Sequence, residues 1–146
     1  MIEFIVSQFS DISKKAITRF SGSYETTPQN VQISFSLKPI IVEDENKEKK
    51  VDYDVVYKVY KDYQKVEDVT FLNILGVRID FKGYSYIAPP FIQKTLIRFA
   101  NELGVNCQNV FVMLYLNDEN ALKLNLYNLG EFVKSVELED LFTNET

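Results

Sequence analysis

The sequence predicts one α+β domain over residues 1–146: an antiparallel sheet of about four long strands in a meander, with one long helix and a short C-terminal helix packed on one face. Three observations predict it. Apolar residues alternate with period two over residues 31–42, 53–63 and 71–81, the mark of strands with one buried face. Short polar segments separate these runs, as hairpin turns do. Residues 89–103 instead carry apolar side chains at helical spacing.

Residues 2–9 look like a first strand, though their alternation is imperfect. Residues 10–20 fit two conformations. Ile12, Ala16, Ile17 and Phe20 have helical spacing behind Ser10 as a possible N-cap. A bent strand is the other option, and the resemblance set out below favours it. In residues 31–42, Val31, Ile33, Phe35, Leu37 and Ile41 alternate with Gln32, Ser34, Ser36 and Lys38. Pro39 cannot donate to a ladder, so this part of the strand is expected at an edge or bulge. Residues 43–50 form a charged turn whose signs largely cancel.

The second strand places Tyr53, Val55, Tyr57, Val59 and Tyr63 on one face, with Asp54, Val56, Lys58, Tyr60 and Asp62 on the other. Residues 64–68 read as a second polar turn. Phe71, Leu75, Val77, Ile79 and Phe81 then share a face. Val56, Tyr60, Leu72 and Ile74 lie opposite the main apolar set, so they need either a second internal layer or a subunit interface to cover them.

Pro89 and Pro90 suit the first turn of a helix, where a missing N–H costs nothing, and Gly104 is a natural C′ residue. Residues 110–116 are apolar on both faces and fit a buried strand. A turn at residues 117–120 and a returning strand with Leu122, Leu124 and Leu126 follow. Phe132, Val133, Val136 and Leu141 are expected in a short helix. No internal repeat is evident.

Composition excludes several classes of function. Nine Tyr and eleven Phe without Trp fit a sheet core or an aromatic binding surface. With 16 basic and 21 acidic residues the net charge is −5, which disfavours nucleic acid as a general partner. There is no His and one cysteine, Cys107, so the commonest general base and metal ligand are missing and no internal disulfide can form. Cys107 is expected to be a buried, inert thiol. The pair Asp80 and Lys82 hints at a metal-dependent nuclease, but no companion carboxylate has a recognisable position. Gly-rich phosphate loops are absent. No cofactor is expected. No apolar run approaches the roughly 20 residues that span a bilayer, and no signal pattern opens the chain, so cytoplasmic residence is the expectation.

The order of elements from Ile2 to Gly104 resembles the SecB protein-export chaperone family. The segment Phe4-Ile5-Val6-Ser7-Gln8-Phe9-Ser10-Asp11-Ile12-Ser13 is similar to that family's opening strand, which ends in a polar, Ser-containing bend. Tyr53-Asp54-Val55-Val56-Tyr57-Lys58-Val59 resembles its third strand. Thr70-Phe71-Leu72 through Ile79-Asp80-Phe81 fits the fourth, and Ala88-Pro89-Pro90-Phe91-Ile92 resembles the approach to its long helix. Two departures stand out: only residues 82–88 separate the fourth strand from the helix, and residues 110–116 have no counterpart. The resemblance implies an ATP-independent, homo-oligomeric holdase, a tetramer or dimer, that binds unfolded chains or an antitoxin-like polypeptide in apolar grooves. It implies client contacts at Tyr57, Tyr60, Phe71, Tyr84, Tyr86 and Phe91, no catalytic or metal-binding residues, and neither nucleic acid nor membrane as partner.

Two other readings compete. Residues 77–88 and the helix after them look like part of a STAS-like regulatory module, which calls for a small mixed sheet and one folded partner. A phage- or defence-related interaction domain would likewise bind a single partner.

Overall fold

The computed structural model describes residues 2–71, 79–81, 84–86 and 89–141. The chain opens with α1 (Ile2–Ser23), one continuous helix: residues 2–9 are helix where the sequence pattern points to a strand, and residues 10–20 take the helical option over the bent strand that the resemblance favours. Ser10 lies inside it and is no cap. The buried stripe Phe9, Ser13, Ala16, Ile17 and Phe20 has each member three or four positions from another, and neither proline nor glycine interrupts it before Gly22. This amphipathic face decides the conformation, because burying it against a sheet outweighs weak local preference.

After a 3-10 turn, Pro28–Asn30, come β1 (Val31–Glu43), β2 (Lys49–Lys61) and β3 (Gln64–Phe71). A small hairpin, β4 (Ile79–Phe81) and β5 (Tyr84–Tyr86), pairs on its own. Then follow α2 (Pro89–Leu103), a 3-10 turn at Cys107–Asn109, β6 (Val110–Leu116), β7 (Leu122–Asn128) and β8 (Glu131–Val136). Six of the strands form one sheet in the order β3-β2-β1-β6-β7-β8, and all of its pairings are antiparallel.

Residues 64–68 are therefore strand, not turn. The turn shrinks to Asp62 and Tyr63, both with positive φ, 52° and 64°, which suits the twist of a two-residue hairpin. The polar character of this segment belongs to an edge strand, where charged side chains discourage further pairing. The long strand expected over 71–81 is described only at its two ends; Leu72, Ile74, Leu75 and Val77 lie outside the described residues. The expected C-terminal helix is β8 followed by one 3-10 turn, Leu138–Leu141. Leu129 and Gly130, at φ 52° and 81°, reverse the chain so tightly that the next residues must pair with β7. The 3-10 turn is tied to α2, where the Thr95 hydroxyl donates to the Leu141 carbonyl at 2.7 Å and Arg98 donates to the Asp140 carbonyl at 3.0 Å.

The sheet repeats one α-β-β-β unit twice about a local two-fold axis, a repeat that simple inspection of the sequence misses. In the β1–β6 pair, Gln32 stands opposite Tyr115 and Ser36 opposite Phe111, with Ser34 and Met113 at the centre. The segment Gln29-Asn30-Val31-Gln32-Ile33 corresponds to Gln108-Asn109-Val110-Phe111-Val112, and Arg19-Phe20 to Arg98-Phe99. Both helices end alike. Thr26 N–H donates to the Ser21 carbonyl as Val105 N–H does to Ala100, and Glu25 and Gly104 occupy the same left-handed position.

Turns match as well. The Asp44 carboxylate accepts from the N–H groups of Asn46 and Glu48, just as the Asn117 side chain accepts from Glu119 and Ala121. The Asn30 carbonyl accepts from Asp62 N–H at 2.8 Å, and the Asn109 carbonyl from Leu129 N–H at 2.9 Å. A register shift falls at Val59/Tyr60 in one half and at Leu126/Tyr127 in the other. The halves differ in reach. β1 and β2 run on together past the part of β1 that β6 pairs, residues 32–36. Pro39 lies in this extension, where β1 has a single partner, as its missing N–H requires.

Both helices cover the same face. There Phe9, Ile17 and Phe20 of α1 and Ile92, Leu96 and Phe99 of α2 meet Ile33, Phe35, Val112, Leu114 and Leu124 of the sheet. The Phe35 ring stands edge-on to Tyr57 at 4.6 Å and lies 5.7 Å from Phe9. Each fully buried side chain of this size contributes about 1.5–3 kcal/mol.

Candidate binding face

The core cluster draws on one face of the sheet alone. Among the described residues no helix covers the other face, although it is rich in rings. Tyr60, Phe111, Tyr115 and Tyr127 are half-buried there, while Tyr63 and Phe132 are 60% and 59% exposed. The Phe111 and Tyr127 rings stack at 5.0 Å, and Phe132 meets Tyr127 edge-on at 6.0 Å. Tyr63 folds toward the centre, its N–H donating to the Gln32 side chain at 2.8 Å. Desolvation holds the Tyr63 phenol above its ordinary range, and Tyr127 and Tyr115 raise it further.

A trough of about 420 Å³ runs across the β1–β2 half of this face. Ser34, Ser36 and Val56 line its floor, and Tyr60 and Phe111 stand beside it. Its charged lining residues are Lys38 and Lys58, with the Gln108 side chain also at the rim. The trough follows from how the two halves diverge. Where the first half has Ser34 and Ser36, the second has Met113 and Tyr115, which occupy the equivalent space. Where Gln108 lines the open trough, its counterpart Gln29 is tied down, donating to the Asn117 carbonyl at 3.3 Å and to the Asn120 side-chain oxygen at 2.6 Å. Asp54, opposite Lys38 in the ladder, is 6% exposed, and its Oδ1 finds no hydrogen-bond partner among the described residues.

Of the six residues singled out as client contacts, Tyr57 and Tyr60 lie on opposite faces of the sheet. Tyr57 is fully buried in the core, on the face that the helices cover. Tyr60 lies on the open face and lines the trough. Phe71 ends β3 opposite Val55, Tyr84 and Tyr86 pair with Phe81 and Ile79, and Phe91 lies in the first turn of α2. Sequence reasoning missed Phe111, Tyr115 and Phe132, because residues 110–116 read as buried on both sides and residues 132–141 as helix, and it missed Tyr127 because the face of the 122–128 strand opposite its leucines had no evident neighbour. The run Gln32, Ser34, Ser36, Lys38 was a readable signal: an entirely polar strand face with two small residues at its middle.

Chemistry has few candidates. Among the described residues no group of three or more Cys, Asp or Glu side chains could hold a metal ion. Cys107 is a free, half-buried thiol. It lies beside Tyr53, whose phenol is raised first by burial and then by that thiol. Among the described residues no helix is long and apolar enough to cross a membrane. Comparison with protein-family models, curated proteins and solved structures found no match.

Proposed function

We propose that this chain is an ATP-independent polypeptide-binding protein of the SecB-like holdase kind, and that the open face of its sheet holds an unfolded or dedicated client chain. The observation that carries the reading is the set of half-buried and exposed rings, Tyr60, Tyr63, Phe111, Tyr115, Tyr127 and Phe132, on the face that no described helix covers, opposite the core. Tyr and Phe offer large contact area at small entropic cost, and the tyrosine hydroxyls keep such a surface compatible with water. A face of this kind needs a partner, not a reacting group, so we assign the protein no catalysis and no cofactor. Assembly into a homo-oligomer in the cytoplasm belongs to the same reading.

The test is the aggregation of a chemically denatured client enzyme, diluted with and without stoichiometric protein and without ATP. Suppression is expected, and it should weaken when Tyr63 and Phe132 are both changed to Ser, since both are largely exposed and the fold does not depend on them. Failure to suppress aggregation of several different clients would overturn the holdase reading.

A further inference from the structure

Among the described residues no helix covers either half of the open face, but the trough lies in the first half, and the charge there is opposite in sign to that of the chain as a whole. Net charge is −5, yet the charged side chains lining the trough are Lys38 and Lys58. Lys58 stands opposite Ser34 and Lys38 opposite Asp54. The two lysines are therefore staggered by four positions along the strands, about 13 Å at ~3.3 Å per residue. Midway between them lies the row Val56, Ser36 and Phe111, contiguous across β2, β1 and β6. Here the small Ser36 leaves a gap between two apolar neighbours.

We propose that the trough takes an extended acidic peptide segment of the pattern acidic–x–apolar–x–acidic. In an extended chain, side chains two and four positions apart point to the same face. Two carboxylates at that separation match Lys58 and Lys38, and the apolar side chain between them enters the gap over Ser36, against Val56 and Phe111. The hydroxyl of Ser36, which is half-buried, and the amide of Gln108 remain for the peptide backbone. Buried Asp54 beside Lys38 offsets part of the positive field at one end, so Lys58 makes the stronger of the two charge contacts. This inference rests on the polypeptide-binding reading and names the class of chain the site prefers. Rim charges of this kind set partner choice and association rate, while the anchor in the gap sets residence time.

The test titrates a fluorescent peptide, Ser-Asp-Ser-Leu-Ser-Asp-Ser, into the full chain and reads anisotropy. The same measurement follows for the peptide with Lys in place of Asp, the peptide with Ser in place of Leu, and a single-stranded oligothymidine. The acidic peptide should bind, more weakly at high salt. K58E should weaken it by about tenfold, because it removes one charge pair and sets a like charge against the peptide carboxylate in its place. S36Y, which puts in the first half what Tyr115 is in the second, should abolish binding while the circular dichroism spectrum is retained. If that variant fails to fold, K38E and K58E still decide, because neither residue is in the core.

Equal binding of the lysine peptide, indifference to K58E, or tighter binding of the oligothymidine would each overturn the proposal. The aggregation assay separates this from the broader reading. Suppression that K58E leaves unchanged would refute the acidic preference alone, whereas absent suppression would refute the holdase.

Discussion

Glu25 and Gly104 terminate equivalent helices in equivalent left-handed conformations, at φ 54° and 69°, so exchanging residue types there should move stability in opposite directions. A non-glycine residue in this region costs about 1–2 kcal/mol in the folded chain. Glycine returns part of that, about 0.4–1 kcal/mol, through the larger entropy of its unfolded state. The net expected effect is about 0.5–1 kcal/mol, with Glu25→Gly stabilising and Gly104→Ala destabilising. Sterics do not obscure the comparison, because a Cβ at Gly104 would meet nothing within 4 Å and Glu25 is exposed. For a chain of this size 1 kcal/mol corresponds to roughly 2–4 °C in Tm. Urea unfolding and thermal melts of both variants check it. Changes of the same sign in both, or a loss above about 3 kcal/mol at Gly104, would refute the argument that the two helix ends repeat one device.

Two further outcomes follow from buried and crowded polar groups. Asp54→Val should stabilise the fold by about 1–2 kcal/mol, because it removes a buried oxygen with no hydrogen-bond partner among the described residues and puts a β-branched side chain in the strand; a lower urea midpoint would refute it. The raised Tyr63 phenol favours the neutral form in the folded state. Its contribution is fully present below the ordinary tyrosine value near 10 and is lost as pH climbs through the higher folded value. Absorbance titration should therefore show late phenolate ionisation from Tyr63 as well as Tyr53, of which Tyr63→Phe removes one part, and a titration unchanged by that substitution would refute the cluster with Tyr115 and Tyr127.

The amino-acid sequence by itself determined the α+β class, the antiparallel pairing of the 31–42 and 53–63 runs, the α2 helix with its Pro start and Gly104 end, and the strands at 110–116 and 122–126. Those features are local: a period, a cap, a turn. It also offered two opposed faces on β2, from which Tyr60 could be placed apart from Tyr57.

What only the tertiary structure decided was which partners those faces meet. The helical stripe from Phe9 to Phe20 counts as helix because a sheet waits to bury it, and β8 is a strand because the Leu129–Gly130 turn delivers it to the edge of β7. The insertion of β6 beside β1 is a pairing between residues far apart in the chain, and no local pattern encodes it. That pairing alone brings Phe111 next to Ser36, sets the halves about their two-fold axis and opens the trough between Lys58 and Lys38. Register and layer order arise from the mutual burial of distant segments, so a site assembled across three strands exists only once the sheet has formed.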